Sequence, residues 1–288
     1  MQGMATEVEA RDDCGPAGRP SARRAADVVN ILGVPIAAIN MEMAVRIVDD
    51  WIAGGGSTYI TVTGVHGIIE SQRDPAVREA HLLAGMCVPD GMPTVWLGRC
   101  RGHGSMTRVY GPDLMLAVLD ASVRRGHTHF LYGGKEGIAE SLKERLSERF
   151  PGLRIVGTYC PPFRELTEAE EREVARLVEE ASPDVLWVGL STPKQELWMA
   201  RHLGRLKAKV MIGVGAAFDF HAGLVRQAPR WMQRAGLEWF FRLCMEPGRL
   251  WRRYLFNNPI FVWKAAGQLL GLRHYRMEPV ANQEGSKP

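Results

Sequence analysis

Asp90 has the sharpest chemical profile in the sequence. It stands between Pro89 and Gly91, directly after the apolar run Met86–Val88. Proline fixes the chain before it and glycine permits an unusual turn after it, so the backbone aims the carboxylate. A carboxylate held this way can act as a general base that takes the proton of an attacking hydroxyl. It can equally be a turn former that bonds its own backbone. Thr63 ends another apolar run and can bond a substrate, orient the base or serve its strand alone. His66 suits either catalysis or the start of a helix.

Other polar groups follow apolar runs in the same way. Gly133-Gly134-x-x-Gly137 precedes a helical pattern and can cradle phosphate on free amides, or can simply be a tight turn. It lacks the full G-x-G-x-x-G of a dinucleotide site. Gly213 and Gly215 allow a nucleotide close to the backbone, or mark another turn. Lys194, Gln195 and Glu196 open a helix, where Lys194 can meet a phosphate and Gln195 a sugar or base edge. Phe218 and Asp219 join an aromatic face to a carboxylate, which suits a base or ribose; a core Phe beside an N-cap Asp explains the pair as well. Arg242, Arg249 and Arg252 share a face if their helix is continuous, and guanidinium groups suit pyrophosphate or an anionic lipid surface. D-x-D, P-loop and G-x-S-x-G motifs are absent from the sequence, and no metal site is expected. His127 and His129 read as structural.

These residues need a scaffold that brings them to one edge. Strands are predicted at Val28–Ile36, Tyr59–Thr63, Met86–Val88, His129–Tyr132, Arg154–Thr158, Val185–Leu190 and Val210–Val214. Helices are predicted at Met41–Trp51, Pro75–Ala84, Pro112–Arg125, Ile138–Arg149, Thr167–Ala181 and Lys194–Leu203, with a capping box from Thr167 to Glu170. Alternating helices and near-continuous apolar strands imply an α/β fold, a Rossmann-like parallel sheet with helices on both faces. Ligands of such sheets bind beyond the carboxyl ends of the strands, where the five loops at 63–66, 89–91, 133–135, 191–196 and 213–219 would lie.

Composition sets the outer bounds. The chain has 288 residues, 46% apolar and 24% charged, and can bury a full core without disulfide staples. Five cysteines without a C-x-x-C pair fit a reducing compartment and argue against a cysteine zinc site. Residues 1–26 are expected to be a disordered tail with no secretory signal, and 277–288 a second tail. Residues 27–228 form the expected α/β core and 229–276 a helical appendage; its best candidate for a membrane span, Asn257–Leu272, is short and carries Lys264, so no transmembrane helix is expected. Positions 226–276 hold nine Arg and Lys264 against only Glu238 and Glu246, together with four of the eight Trp. A basic, aromatic segment suits an anionic membrane surface. Off the membrane, its apolar surface could pack in a homo-oligomer. The acidic remainder argues against nucleic acid.

Taken in order, these residues resemble a known family. The matching features are Gly33-Val34-Pro35-Ile36, Thr63, Pro89-Asp90-Gly91, Arg108-Val109-x-Gly111-x-Asp113-Leu114 and Pro193-Lys194-Gln195-Glu196-x-Trp198. Gly213-Val214-Gly215-x-x-Phe218-Asp219, Gly223, Arg226-x-Ala228-Pro229, Glu238-Trp239-x-x-Arg242-Leu243 and Glu246-Pro247-x-Arg249 complete the series. The sequence resembles the WecG/TagA/CpsF family of bacterial glycosyltransferases over roughly residues 29–255. That resemblance implies a cytoplasmic enzyme, peripheral on the inner face of the cell membrane. It would move a sugar from a UDP-sugar to a polyprenyl-diphosphate-linked saccharide, with inversion and without a metal or other cofactor. Asp90 matches the family's proposed base and Thr63 a residue of substrate binding or catalysis. Arg108 and Gln195 match pocket positions, and Arg242, Arg249 and Arg252 match appendage arginines that complete the site at the membrane. The chain departs from the family where Thr63-Gly64-Val65-His66 stands in place of Thr-Pro-Asn. On this reading the appendage folds over the cleft only at the membrane. A non-catalytic nucleotide-binding module at the membrane surface is the alternative. A Rossmann-type oxidoreductase would need a glycine fingerprint that the sequence lacks.

Overall fold

The computed structural model describes residues 26–278. The two expected tails lie outside the described residues, save for residues 26, 277 and 278. The first half of the described chain forms β1 (Val28–Ile31), β2 (Val34–Ala37), α1 (Met41–Gly54), β3 (Thr58–Thr63), α2 (Val65–Glu70), α3 (Pro75–Leu83), β4 (Met86–Pro89), α4 (Met92–Cys100) and α5 (Gly111–Arg125). The alternation continues through β5 (Thr128–Gly133), α6 (Ile138–Arg149), β6 (Arg154–Tyr159), α7 (Glu168–Ala181), β7 (Val185–Gly189), α8 (Lys194–His202), β8 (Val210–Gly213) and α9 (Ala217–His221). Three helices follow, α10 (Arg230–Arg234), α11 (Glu238–Met245) and α12 (Pro247–Leu269).

The eight strands make one sheet in the order β1-β2-β4-β3-β8-β7-β5-β6. Only the β1–β2 pair is antiparallel. This is the expected α/β, Rossmann-like arrangement. Successive strand residues face opposite sides. In β7, Val185 and Trp187 enter the core under α1, α5 and α6, while Leu186 and Val188 pack with α7 and α8. Both faces are covered, which is why the strands read as unbroken apolar runs. The Thr167–Glu170 capping box is present.

The predicted single strand over Val28–Ile36 is instead the β1–β2 hairpin. Its two-residue turn places Leu32 and Gly33 at φ 51° and 85°, the pair of left-handed residues that such turns require. The Asn30 Oδ1 accepts from the Gly33 N–H at 2.8 Å and closes the turn. An apolar residue at the first turn position hid this reversal inside a hydrophobic run.

The hairpin is also where the C-terminal segment docks. Phe261 and Ala265 of α12 are buried against Val29, Ile31, Leu32, Ile68 and Ile69. Burying Phe261 alone contributes about 2 kcal/mol. Polar bonds fix the register: the Leu32 N–H donates to Gln268 Oε1 at 3.1 Å, and the Asn30 Nδ2 to the Tyr275 carbonyl at 2.6 Å. No helix among the described residues is long and apolar enough to cross a membrane.

Candidate active site

Because β3 and β4 run parallel with Thr63 opposite Pro89, the chain leaves both strands side by side. The Asp90 N–H donates to the Thr63 carbonyl at 3.2 Å and holds the turn against the sheet. The Gly111 N–H donates to Asp90 Oδ1 at 3.2 Å. Oδ2 faces Gly64, where a Cβ would stand 3.5 Å away. Burial pushes the Asp90 carboxyl above its ordinary range; Arg108 opposes this, Glu238 adds to it, and the Gly111 amide and Arg242 oppose it. One oxygen is thus anchored, the other is presented, and the group binds a proton more readily than a free aspartate.

Asp90 opens into a cavity of about 620 Å³, within the range of small-molecule sites. The core supplies Gly64, His66, Trp96 and Arg108, and the C-terminal segment supplies Glu238, Arg242, Arg253, Asn257 and Phe261. Arg108 is committed to the frame. Its Nε donates to the Asp90 carbonyl, its terminal nitrogen pairs with the Glu238 carboxylate, and its guanidinium lies 3.9 Å from the Tyr110 ring centre. His66 Nδ1 lies 2.9 Å from Asn257 Nδ2. Burial, with Arg253 nearby, lowers the His66 pKa to about 3, so the ring is neutral and Nδ1 accepts from the amide. Arg242 and Arg253 each keep a buried Nε without a hydrogen-bond partner among the described residues.

A second cavity of about 430 Å³ lies on the same edge, over β5, β7 and β8. Tyr132, Lys135, Lys194, Gly215, Phe218, Asp219 and Arg249 line it. Phe218 forms its floor against Gly189, where a Cβ would come within 2.9 Å of the ring. Burial pushes the Asp219 carboxyl up, while Arg249 and Lys135 oppose this. Asp219 lies within α9, whose N-cap is Ala216, so it is not the expected helix cap. Arg249 and Arg253 stand four residues apart on α12, about one helical turn, and each lines a different cavity.

Several sequence expectations need correction. Thr63 is buried beneath the first cavity, its hydroxyl 2.9 Å from that of Thr61. Gln195 is 2% exposed and lines neither cavity. It packs under Gly213 and donates to Glu196 Oε1 at 3.2 Å. Gly213 is needed for that packing, since a Cβ would meet Met199 at 2.7 Å. Gly133 lets β5 approach β7, where a Cβ would stand 2.7 Å from the Gly189 backbone, and the Gly134 amide is spent on the Gly189 carbonyl. The proposed phosphate cradle is therefore chiefly strand packing. The three arginines do not share one helix. The chain breaks at Glu246, so Arg242 belongs to α11 while Arg249 and Arg252 belong to α12. Arg252 is exposed over the Trp251 ring, and Arg253 occupies the cavity instead. Pro247, which opens α12, was the signal that the helical phase restarts. The segment is also closed over the cleft in the chain by itself, not only at a membrane.

The sequence profile described as the glycosyl transferase WecG/TagA/CpsF family matches residues 29–275. Curated relatives carry the name N-acetylglucosaminyldiphosphoundecaprenol N-acetyl-beta-D-mannosaminyltransferase. One from Bacillus subtilis is 32% identical over 168 residues, which is 58% of this chain and 63%, less than two thirds, of the relative. One from Bacillus spizizenii is 30% identical over 65% of this chain and 70% of its own length. One from Staphylococcus aureus MRSA252 is 26% identical over 83% of this chain and 92% of its own length.

Proposed function

The chain belongs to the WecG/TagA/CpsF glycosyltransferase family, and from that premise we propose that it moves a sugar from a UDP-sugar onto a polyprenyl-diphosphate-linked saccharide, with inversion and without a metal. The single observation that carries this reading is Asp90, with Oδ1 anchored by Gly111, Oδ2 presented to the first cavity and its proton affinity raised. In the step it performs, an acceptor hydroxyl oxygen attacks the anomeric carbon from the face opposite the leaving group. Its proton passes to Asp90 Oδ2. The bond from the anomeric carbon to the diphosphate oxygen breaks, and its electron pair leaves with UDP.

The second cavity suits the nucleotide, with Phe218 as a floor, Asp219 for a ribose or base, and Lys135, Lys194 and Arg249 for phosphate. Cations aimed at the departing diphosphate stabilise the charge that develops there. In this reading guanidinium and ammonium groups supply what a divalent ion supplies in other transferases. The relatives' names make N-acetylmannosamine the donor sugar to try first, with N-acetylglucosaminyl diphosphate prenol as acceptor.

The C-terminal helices support a peripheral position on the inner face of the cell membrane. Trp231, Phe240, Trp251, Phe256, Trp263 and Leu270 are exposed there among arginines. A surface of that kind binds anionic lipid by apolar insertion and charge together.

The experiment is a transfer assay in the presence of a chelator. A panel of UDP-sugars is offered with a short-chain prenyl-diphosphate saccharide, products are read by mass, and Asp90→Asn runs alongside. Gain of one sugar by the wild type and none by the variant is the expected result. Equal turnover by Asp90→Asn would remove the base. Nucleotide binding without transfer from any donor would favour the non-catalytic module.

A further inference from the structure

We infer that Arg253 clamps the diphosphate of the lipid acceptor, and that the apolar groove running from it along α12 receives the first isoprene units. The inference rests on the proposed reaction and adds a subsite to it.

A winding row along α12 carries the argument. Arg253, Asn257, Phe261, Ala265 and Leu269 recur at four-residue spacing, and all five line the first cavity. At 1.5 Å per residue the row runs about 24 Å. It is cationic at the end beside Asp90, polar at Asn257, and apolar from Phe261 to Leu269. Trp96 and Leu97 of α4 form the opposite wall.

The arginine end calls for an anion. The Nε atoms of Arg253 and Arg242 are buried without a hydrogen-bond partner among the described residues, and such groups are costly to leave unmatched. Most of the nearby acids are engaged, and the exception is Glu196 Oε2, which is buried without a hydrogen-bond partner among the described residues. Glu238 is held by Arg108, Glu246 pairs with Arg249 at 2.6 Å, and Glu70 pairs with Arg73 at 2.8 Å. Glu196 Oε1 accepts from Thr192 and Gln195. Burial lowers the Arg253 pKa, and Arg242 adds to this, while Tyr254, Asp90 and Glu196 oppose it. Arginine nonetheless stays charged in proteins, so an entering diphosphate would meet two guanidinium forks suited to bidentate phosphate contacts. The apolar end calls for a hydrocarbon. A prenyl diphosphate carries both ends in that order, and its saccharide lies beyond the diphosphate, next to Asp90.

Two variants and two acceptors test this. One acceptor carries a prenyl tail, the other a methyl group on the same diphosphate saccharide. Arg253→Met is expected to raise KM for both acceptors by about tenfold or more and to leave KM for the UDP-sugar within about twofold; Arg253→Lys should recover part of the loss. Ala265→Trp is expected to raise KM for the prenyl acceptor alone. A rise in donor KM with Arg253→Met would assign the arginine to the nucleotide and overturn the clamp. Equal effects of Ala265→Trp on both acceptors would overturn the groove. Melting curves identify any variant that fails to fold. If the wild type transfers to no acceptor, the reaction itself is wrong. Calorimetric binding of farnesyl diphosphate then still reads the subsite, since binding that is unchanged in Arg253→Met and Ala265→Trp would overturn it without turnover.

Discussion

Arg108 and Glu238 form an ion pair across 130 residues of sequence, with side chains only 15% and 13% exposed. The same guanidinium donates to the carbonyl of Asp90, so one arginine joins the Asp90 turn to the first residue of α11. Removing one member leaves the other charge largely buried and without its ion-pair partner. Glu238→Ala and Arg108→Ala are each expected to lose about 3 kcal/mol of stability. The double variant should lose less than the sum of the two. Urea unfolding of all four proteins checks this, and strict additivity would show that the pair is not coupled.

Asp90→Asn separates chemistry from folding. Loss of a general base lowers kcat by about 10²–10⁴-fold. The folded-state pKa of Asp90 is raised, so its contribution to stability is present below the unfolded value and is lost as pH rises through the folded one. At neutral pH the charged form therefore weakens the fold, and the amide should melt no lower than the wild type. For the same reason the acid limb of kcat/KM should fall above the ordinary aspartate range. A limb at the usual carboxylate value would assign it to another group.

Acid should weaken the whole domain. Burial, with Arg253 nearby, lowers His66 to about 3; burial, with His127 nearby, lowers His129 to about 3; and burial lowers His81 as well. A depressed folded value means stability that is present above about 6.5 and lost as pH falls toward the folded value. Each histidine adds a slope of up to about 1.4 kcal/mol per pH unit in that window. Urea midpoints should hold between pH 7 and 8 and drop steadily below pH 6. His66→Gln should flatten part of the drop, and a midpoint independent of pH would show that these rings titrate normally.

Membrane binding should depend on the exposed tryptophans as much as on charge. Trp251 and Trp263 are 41% and 71% exposed. Changing both to Ser is expected to cut partition onto anionic vesicles several-fold while leaving transfer to a methyl-diphosphate acceptor unchanged. Sedimentation with vesicles at low and high salt separates the two contributions. Binding that salt alone abolishes would show that the aromatics do not insert.

Much of this was legible in the sequence, for physical reasons. Strand and helix alternation showed because each apolar run is covered on both faces, and Asp90 showed because proline fixes the chain before it and glycine permits the turn after it. The α4 helix was missed, and of α2 only a possible start at His66 was read. Both are short, and each begins at a glycine that offers no side-chain cap, Gly64 and Gly91. Arg253 was missed in favour of Arg252 because both follow Arg249 by about one helical turn, three and four residues on, and the resemblance pointed to Arg252. Thr63, Gln195 and Gly213 were placed on the correct edge, but their side chains turned out to support the loops from beneath. Spacing gives position along a strand; it does not tell which of two neighbouring layers a side chain joins.

Arg249 and Arg253, one turn apart on α12, also put one helix in reach of both cavities. A ligand that shifted Arg249 would, through that turn of helix, bear on Arg253. Whatever factor one substrate applies to the affinity of the other is then returned in equal measure. Donor and acceptor would report on each other through one helix, and the order in which they arrive would alter the path but not the free energy of the ternary complex.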